Sequence, residues 1–123
     1  MSALYPHEIL QATIVKGEAK AACSTLSLSI LGFLGGAFIS LGYLAYIHVV
    51  GGMPHEWGGL AVLMGAAVFP IGLICILIGG AELITGNMMV LPAAWLAKNL
   101  SLAALGRNWL VVPLANLLGA FFV

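Results

Sequence analysis

Charged side chains are scarce in this sequence. Four basic and four acidic residues make up 7% of its 123 positions, and the formal net charge is zero. Soluble proteins carry about 25% charged residues. Because 63% of the residues are hydrophobic, the composition favours lipid rather than water as the solvent. The few basic residues also argue against a nucleic-acid partner, since phosphate backbones are bound by clusters of lysine and arginine.

Cysteine is nearly absent as well. Cys23 and Cys75 lie in separate apolar segments without metal-ligand spacing, so the sequence predicts neither a zinc site nor a disulfide framework. No nucleophile is paired with a base, and there is no phosphate-binding loop. We therefore expect a protein that is not an enzyme and that uses no metal and no cofactor. The three histidines, His7, His48 and His55, are expected to be interfacial or solvated.

Long apolar stretches dominate what is present. No Asp, Glu, Lys or Arg occurs over residues 21–55, and about 20 apolar residues cross a bilayer. Gly32 and Gly36, four apart, predict close packing between helices. The predicted fold class is therefore all-α transmembrane. We expect a first segment over residues 26–50, a loop over 49–59, a second segment over 60–78 interrupted by Pro70, a shorter apolar helix over 85–97, and a third segment from about residue 108 to 123.

The basic residues predict an orientation in the membrane. Lys16 and Lys20 precede the first segment, and Lys98 and Arg107 are expected to bracket a polar turn before the third. The loop between the first two segments contains neither lysine nor arginine. Since basic residues concentrate on the cytoplasmic side, we expect a cytoplasmic N-terminus in the inner (plasma) membrane. The predicted regions are an amphipathic cytoplasmic helix over residues 1–22 and a transmembrane region over residues 23–123.

The stretch GGAELITGNMM, residues 79–89, contains Glu82, the only acidic residue after position 56. In a continuous helix, Glu82 would lie about 30 Å from the start of the second segment and mark its inner end. In a discontinuous helix, Gly79 and Gly80 would unwind the backbone, and Thr85 would cap a second half-helix whose N-terminus favours an anion. In either case we expect Glu82 to accept from backbone N–H groups or from a basic side chain, because an unpaired acid is costly in lipid.

Further motifs flank this stretch. Arg-Asn-Trp at residues 107–109 and NLLGA at residues 116–120 follow it, and PHEI and LGFLGGAFISLG precede it. Together with GGAELITGNMM, these motifs resemble the first half of the formate/nitrite transporter family. The resemblance implies an aquaporin-like bundle of six helices, built from two inverted three-helix repeats with a broken second helix. It also implies a pentamer with one pore in each protomer. This chain would supply three of the six membrane segments.

The resemblance also implies roles for individual residues. Phe69 and Leu73 would form the outer and inner pore constrictions, and four residues apart they share one helix face. Leu83 and Ile84 would be the tip of a pore loop, with Thr85 facing a central histidine of the second repeat, outside these 123 residues. The complete pore loop would consist of Glu82, Leu83, Ile84, Thr85, Gly86 and Asn87.

The implied function is transport of small monovalent anions, formate first, with nitrite or hydrosulfide as alternatives. A bare anion is costly to desolvate, so apolar constrictions admit it best when it is neutralised. The competing hypothesis is a non-transporting half-length membrane protein that acts in helix assembly. The expected partners are the anion, membrane lipid and further copies of the chain. We expect Gly79, Gly80 and Gly86 to tolerate larger residues poorly, because a helix break needs unusual dihedral angles.

Overall fold

Helices joined by short turns make up the structure, a computed structural model that describes residues 4–123. A short 3-10 turn, His55–Trp57, precedes the third helix. No strand occurs in this part of the chain, and the predicted all-α class is confirmed. The helices are α1 (Pro6–Ala22), α2 (Thr25–Gly51), α3 (Gly58–Val68), α4 (Pro70–Gly79), α5 (Ile84–Leu96) and α6 (Leu102–Phe122).

Three stretches are long and apolar enough to cross a membrane, and the chain is a membrane protein. They are Thr25–Gly51, His55–Gly79 and Leu102–Phe122. The first two agree closely with the predicted segments over residues 26–50 and 60–78. The agreement is best at their C-terminal ends, Gly51 and Gly79, whereas the second span begins earlier than predicted, at His55.

The third span begins earlier than the sequence suggested, at Leu102 rather than near residue 108. Ser101 caps this helix, since its hydroxyl accepts from the backbone N–H of Ala104 at 3.2 Å. The expected polar turn is therefore complete by Ser101, and the placement of Arg107 within it is wrong. Arg107 lies in the second turn of α6. The Ser101 cap stabilises a helix start at Leu102, because its hydroxyl accepts from one of the first-turn N–H groups that have no partner within the helix. The charged Arg107 does not prevent this early start.

The second span continues through Pro70. The two parts meet at Phe69, whose φ of −48° and ψ of −41° are helical. Proline has no N–H to extend the ladder of hydrogen bonds. The N–H of Gly72 instead donates to the carbonyl oxygen of Phe69 at 3.2 Å, which tightens this turn.

Parallel packing of α2 against α6 forms the main helix pair. A Cβ atom at Gly36 would overlap the carbonyl oxygen of Asn116, and one at Gly119 would overlap the carbonyl oxygen of Phe33. Gly32 likewise lies against Ala115. Because these glycines carry no side chain, the two backbones come into direct contact, as small residues permit in membrane proteins.

The first helix packs on α5. A Cβ atom at Gly17 would overlap the carbonyl oxygen of Val90, so the two helices also approach closely. The predicted N-terminal region over residues 1–22 includes residues 1–3, which lie outside the described part of the chain. Its location at the cytoplasmic membrane surface stays a prediction.

Candidate functional site

The second span ends in a sharp backbone turn at Gly80. This residue has a φ of 66° and a ψ of 23°, in the left-handed region that favours glycine. Residues 81–83 are not helical, and α5 begins at Ile84. Of the two interpretations of this stretch, the discontinuous helix is therefore correct. The segment over residues 80–83 is called the break below.

The break lies inside the bundle, beside the second turn of α2. The N–H of Glu82 donates to the carbonyl oxygen of Leu31 at 3.0 Å. Leu31 is about 9 Å from the start of α2, given a rise of 1.5 Å per residue. One turn further along, Gly35 leaves room for the break, since a Cβ atom there would overlap the carbonyl oxygen of Glu82. The middle of the break, Ala81 and Glu82, is thus buried in protein, as irregular backbone in a membrane requires.

One asparagine of α6 bonds the free backbone groups of the break. The side-chain Nδ2 of Asn116 donates to the carbonyl oxygen of Glu82 at 2.8 Å and to that of Gly32 at 2.7 Å. Its Oδ1 accepts from the N–H of Ile84 at 3.0 Å. Asn116 is buried. A single side chain therefore joins α2, the break and the beginning of α5.

The expectation that Thr85 caps the second half-helix is wrong. The helix begins at Ile84, its N-cap position is Leu83, two residues before Thr85, and no side chain of its own caps it. The N–H of Ile84 is bonded instead by Asn116, from another helix. Thr85 and Gly86 are exposed in the first turn of α5. A tertiary contact has thus replaced the local cap that the Thr85 position suggested.

The glycines of this stretch differ in what the structure requires of them. Gly80 needs its left-handed backbone, and a Cβ atom there meets no described atom within 4 Å. A Cβ atom added at Gly79 would lie 3.7 Å from a ring carbon of Phe38, which is an ordinary van der Waals contact. A Cβ atom added at Gly86 would have no described neighbouring atom within 4 Å. Of these three glycines, only Gly80 has a backbone conformation that disfavours larger side chains.

Glu82 is paired through both carboxylate oxygens. Its Oε1 accepts from the ammonium of Lys20 at 2.6 Å, and its Oε2 accepts from Nδ2 of Asn87 at 2.7 Å. The residue is only 5% exposed. The expected basic partner is therefore confirmed, and it comes from α1. A buried carboxylate with two donors avoids most of the cost of an isolated charge.

The hydrogen-bond chain continues from the break into α6. Asn87 uses the second hydrogen of its Nδ2 to donate to Oδ1 of Asn108 at 2.9 Å. Both asparagines are fully buried. Lys20, Glu82, Asn87 and Asn108 thus form one network across α1, the break, α5 and α6. Sequence reasoning identified Glu82 and Asn87 but missed Lys20 and Asn108, although Asn108 belongs to the Arg-Asn-Trp motif.

A groove of about 580 Å³ opens beside the break. Leu73 of α4 and Lys20 of α1 line it, together with loop residues that the sequence had singled out: Glu82, Leu83, Thr85, Gly86 and Asn87. Phe69 and Ile84 are not among its lining residues. The structure therefore brings the predicted inner constriction together with most of the predicted pore loop, and it leaves the predicted outer constriction outside the groove.

Residues 7–123 match the family described as formate/nitrite transporter. The chain belongs to the formate/nitrite transporter family. It is 52% identical over 118 residues to the uncharacterized transporter YrhG of Bacillus subtilis, covering 96% of this chain and 44% of that protein. No solved structure gives a significant match.

Other relatives in the family are named as channels. The chain is 46% identical over 118 residues to the formate channel BtFdhC of Bacillus thuringiensis, covering 96% of this chain and 46% of that protein. It is 31% identical over 117 residues to the formate channel FocA of Escherichia coli K12, covering 95% and 41%. The chain thus spans less than half the length of these relatives.

The left-handed backbone at Gly80 generates a first prediction. Gly80→Val should destabilise the full-length protein by about 1–2 kcal/mol, because a β-branched residue strains this conformation. Gly80→Asn is the matched control and should cost less, since asparagine visits the left-handed region more readily. Thermal unfolding of both variants in detergent measures the difference. Equal stability of the valine and asparagine variants would contradict a left-handed residue at this position.

The paired carboxylate generates a second prediction. Glutamine has one acceptor oxygen, whereas Lys20 and Asn87 both donate to Glu82. Glu82→Gln should therefore destabilise the full-length protein by about 1–3 kcal/mol, because one buried donor loses its partner. Glu18→Gln on α1 is the control with the same chemical change, and we expect little effect from it. The denaturation midpoints of the two variants measure the difference in stability. Equal midpoints would rule out the two-donor arrangement at Glu82.

Proposed function

We propose that this chain forms half of a membrane channel or transporter for small monovalent anions, with formate as the primary substrate. The observation that carries the proposal is the break itself, with its neutralised acid and its adjoining groove. Membrane helices interrupted by glycine or proline are typical of transport pathways. Nothing in the proposal requires covalent chemistry, so the protein acts as a conduit rather than as an enzyme.

The electrostatics of the groove suit an anion. The first N–H groups of a helix have no partners within that helix, and those of α5 begin at the break. The positive end of the helix dipole therefore lies beside the groove, where it favours negative charge. Lys20 lines the same groove and offsets the charge of Glu82. An approaching anion consequently meets a paired carboxylate rather than a free one.

Relatives support the choice of formate. BtFdhC and FocA are named formate channels, and both align with nearly the whole length of this chain. Both are about twice as long, so in our proposal a second three-helix repeat completes the pore and supplies its central histidine. Five such six-helix protomers form the assembled protein. Nitrite and hydrosulfide remain the alternative substrates that the transport assay distinguishes.

Apolar side chains of the second span are the proposed constrictions. Leu73 lines the groove near the break and is 44% exposed, which suits an inner constriction facing the second repeat. Phe69 lies one turn earlier and is 37% exposed, and we assign it to the outer constriction on the same helix face. Leu83 and Ile84 form the proposed loop tip, with Thr85 beside them at the start of α5.

The distribution of basic residues supports a cytoplasmic N-terminus. Lys16 and Lys20 lie on α1, Arg107 bonds the end of α1, and Lys98 adjoins Asn99, which donates to Glu18 of α1. All four cations therefore gather around α1, at the end of the bundle that basic residues mark as cytoplasmic. We propose that the protein lies in the inner (plasma) membrane with α1 at its cytoplasmic surface, in contact with lipid.

Flux into liposomes tests the proposal. Full-length protein reconstituted into vesicles should move formate down its gradient, with nitrite and hydrosulfide tested in parallel. Leu73→Ala should raise the leak of larger anions, because it widens the proposed inner constriction. Ile74→Ala is the matched control, since Ile74 is exposed at 51% but does not line the groove. Absence of anion flux from correctly assembled wild-type protein would refute the function.

The same two variants separate a constriction from a packing residue. If Leu73 only packs, its truncation should cost about 2–5 kcal/mol and reduce yield, with selectivity unchanged. That pattern would remove Leu73 from the pore.

A further inference from the structure

Arg107 makes its hydrogen bonds to the end of another helix. Its Nη2 donates to the carbonyl oxygen of Ala21 at 2.6 Å and to that of Cys23 at 2.9 Å. Both carbonyls lie where α1 ends, and the last carbonyls of a helix have no partner within it. The positive guanidinium also complements the negative end of the α1 dipole. Arg107 therefore acts as a cap for α1, although it belongs to α6.

The charge of Arg107 has no other evident use. In residues 4–123, the one Lys or Arg ion pair is that of Lys20 with Glu82, so no carboxylate holds Arg107. The side-chain hydrogen bonds of this half-buried guanidinium thus go to the end of α1.

The carbonyl groups that Arg107 bonds lie next to Lys20, the residue that pairs with Glu82. Lys20 directly precedes Ala21 in the chain, and its ammonium is 2.6 Å from Oε1 of Glu82. The last turn of α1 is therefore bonded to α6 through its carbonyl groups and to the break through Lys20. A further exposed hydrogen bond, from Asn99 to Glu18, lies one turn earlier on α1 than the Ala21 carbonyl that Arg107 bonds.

We propose that Arg107 is a positioning residue, which holds the last turn of α1 so that Lys20 reaches Glu82 beside the groove. Without the two hydrogen bonds, the end of α1 would be free to fray, and the lysine would lose its fixed distance to the carboxylate. The consequence for flux rests on the proposed anion transport. The consequence for the order of α1 does not.

A double-mutant cycle on full-length protein in proteoliposomes tests the link to Lys20. Arg107→Met and Lys20→Met should each lower the rate of formate flux. If Arg107 acts through Lys20, adding Arg107→Met to the Lys20→Met protein should cause no further loss. Losses that multiply, as for two independent sites, would overturn the proposal. Arg107→Lys, which keeps the charge and can still donate, should recover part of the flux.

Hydrogen exchange of the α1 amides provides a second readout that is independent of transport. Arg107→Met should speed exchange over residues 18–23 by about tenfold or more, the loss expected for hydrogen bonds from a charged donor. Lys98→Met, which removes an exposed cation, is the control and should leave exchange unchanged. If Arg107→Met does not assemble, Arg107→Gln, which keeps one amide donor, should show a smaller acceleration.

Flux and hydrogen exchange test the two proposals independently. Wild-type protein that moves no anion would refute the proposed function, while the exchange rates would still decide the role of Arg107. Unchanged exchange over residues 18–23 in an assembled Arg107→Met or Arg107→Gln protein would overturn the positioning role, whatever the flux.

Discussion

Breaking a helix inside an apolar bundle leaves backbone donors and acceptors that lipid cannot bond. Asn116 bonds the carbonyl of Glu82 and the N–H of Ile84, and it anchors both to Gly32 of α2. This arrangement requires α2 and α6 to lie in direct contact, which their glycines permit. The irregular backbone between α4 and α5 therefore depends on Asn116 and, through it, on the close packing of the two spans.

The buried acid adds a second constraint to the same place. Glu82 can lie inside the bundle as a carboxylate because Lys20 and Asn87 both donate to it. Its partner Lys20 comes from α1, so the N-terminal helix is bonded to the break rather than being a separate surface element. Charge balance, helix packing and the N-terminus of α5 are thereby concentrated around one groove.

Sequence patterns predicted the parts of this structure that depend on composition and local punctuation. The apolar runs defined two spans closely, and the glycine pair at residues 79–80 located the break. Patterns did not predict what depends on distant contacts. The start of α5 is bonded by Asn116, 32 positions away from Ile84, and the basic partner of Glu82 is 62 positions away. The early start of α6 was missed because a charged residue such as Arg107 is typical of a loop. In the structure its guanidinium instead donates to carbonyl groups at the end of α1.

Hydrogen exchange at the break, resolved to single residues in the full-length protein, tests most directly whether this irregular segment is held by the bundle. The N–H groups of Ala81, Glu82 and Ile84 are all bonded, to Ile76, Leu31 and Asn116 respectively. We therefore predict that these amides exchange as slowly as those in the middle of α2, although residues 81–83 are not helical. Exchange at the rate of an exposed loop would contradict the account, because the break would then lie outside the packed bundle.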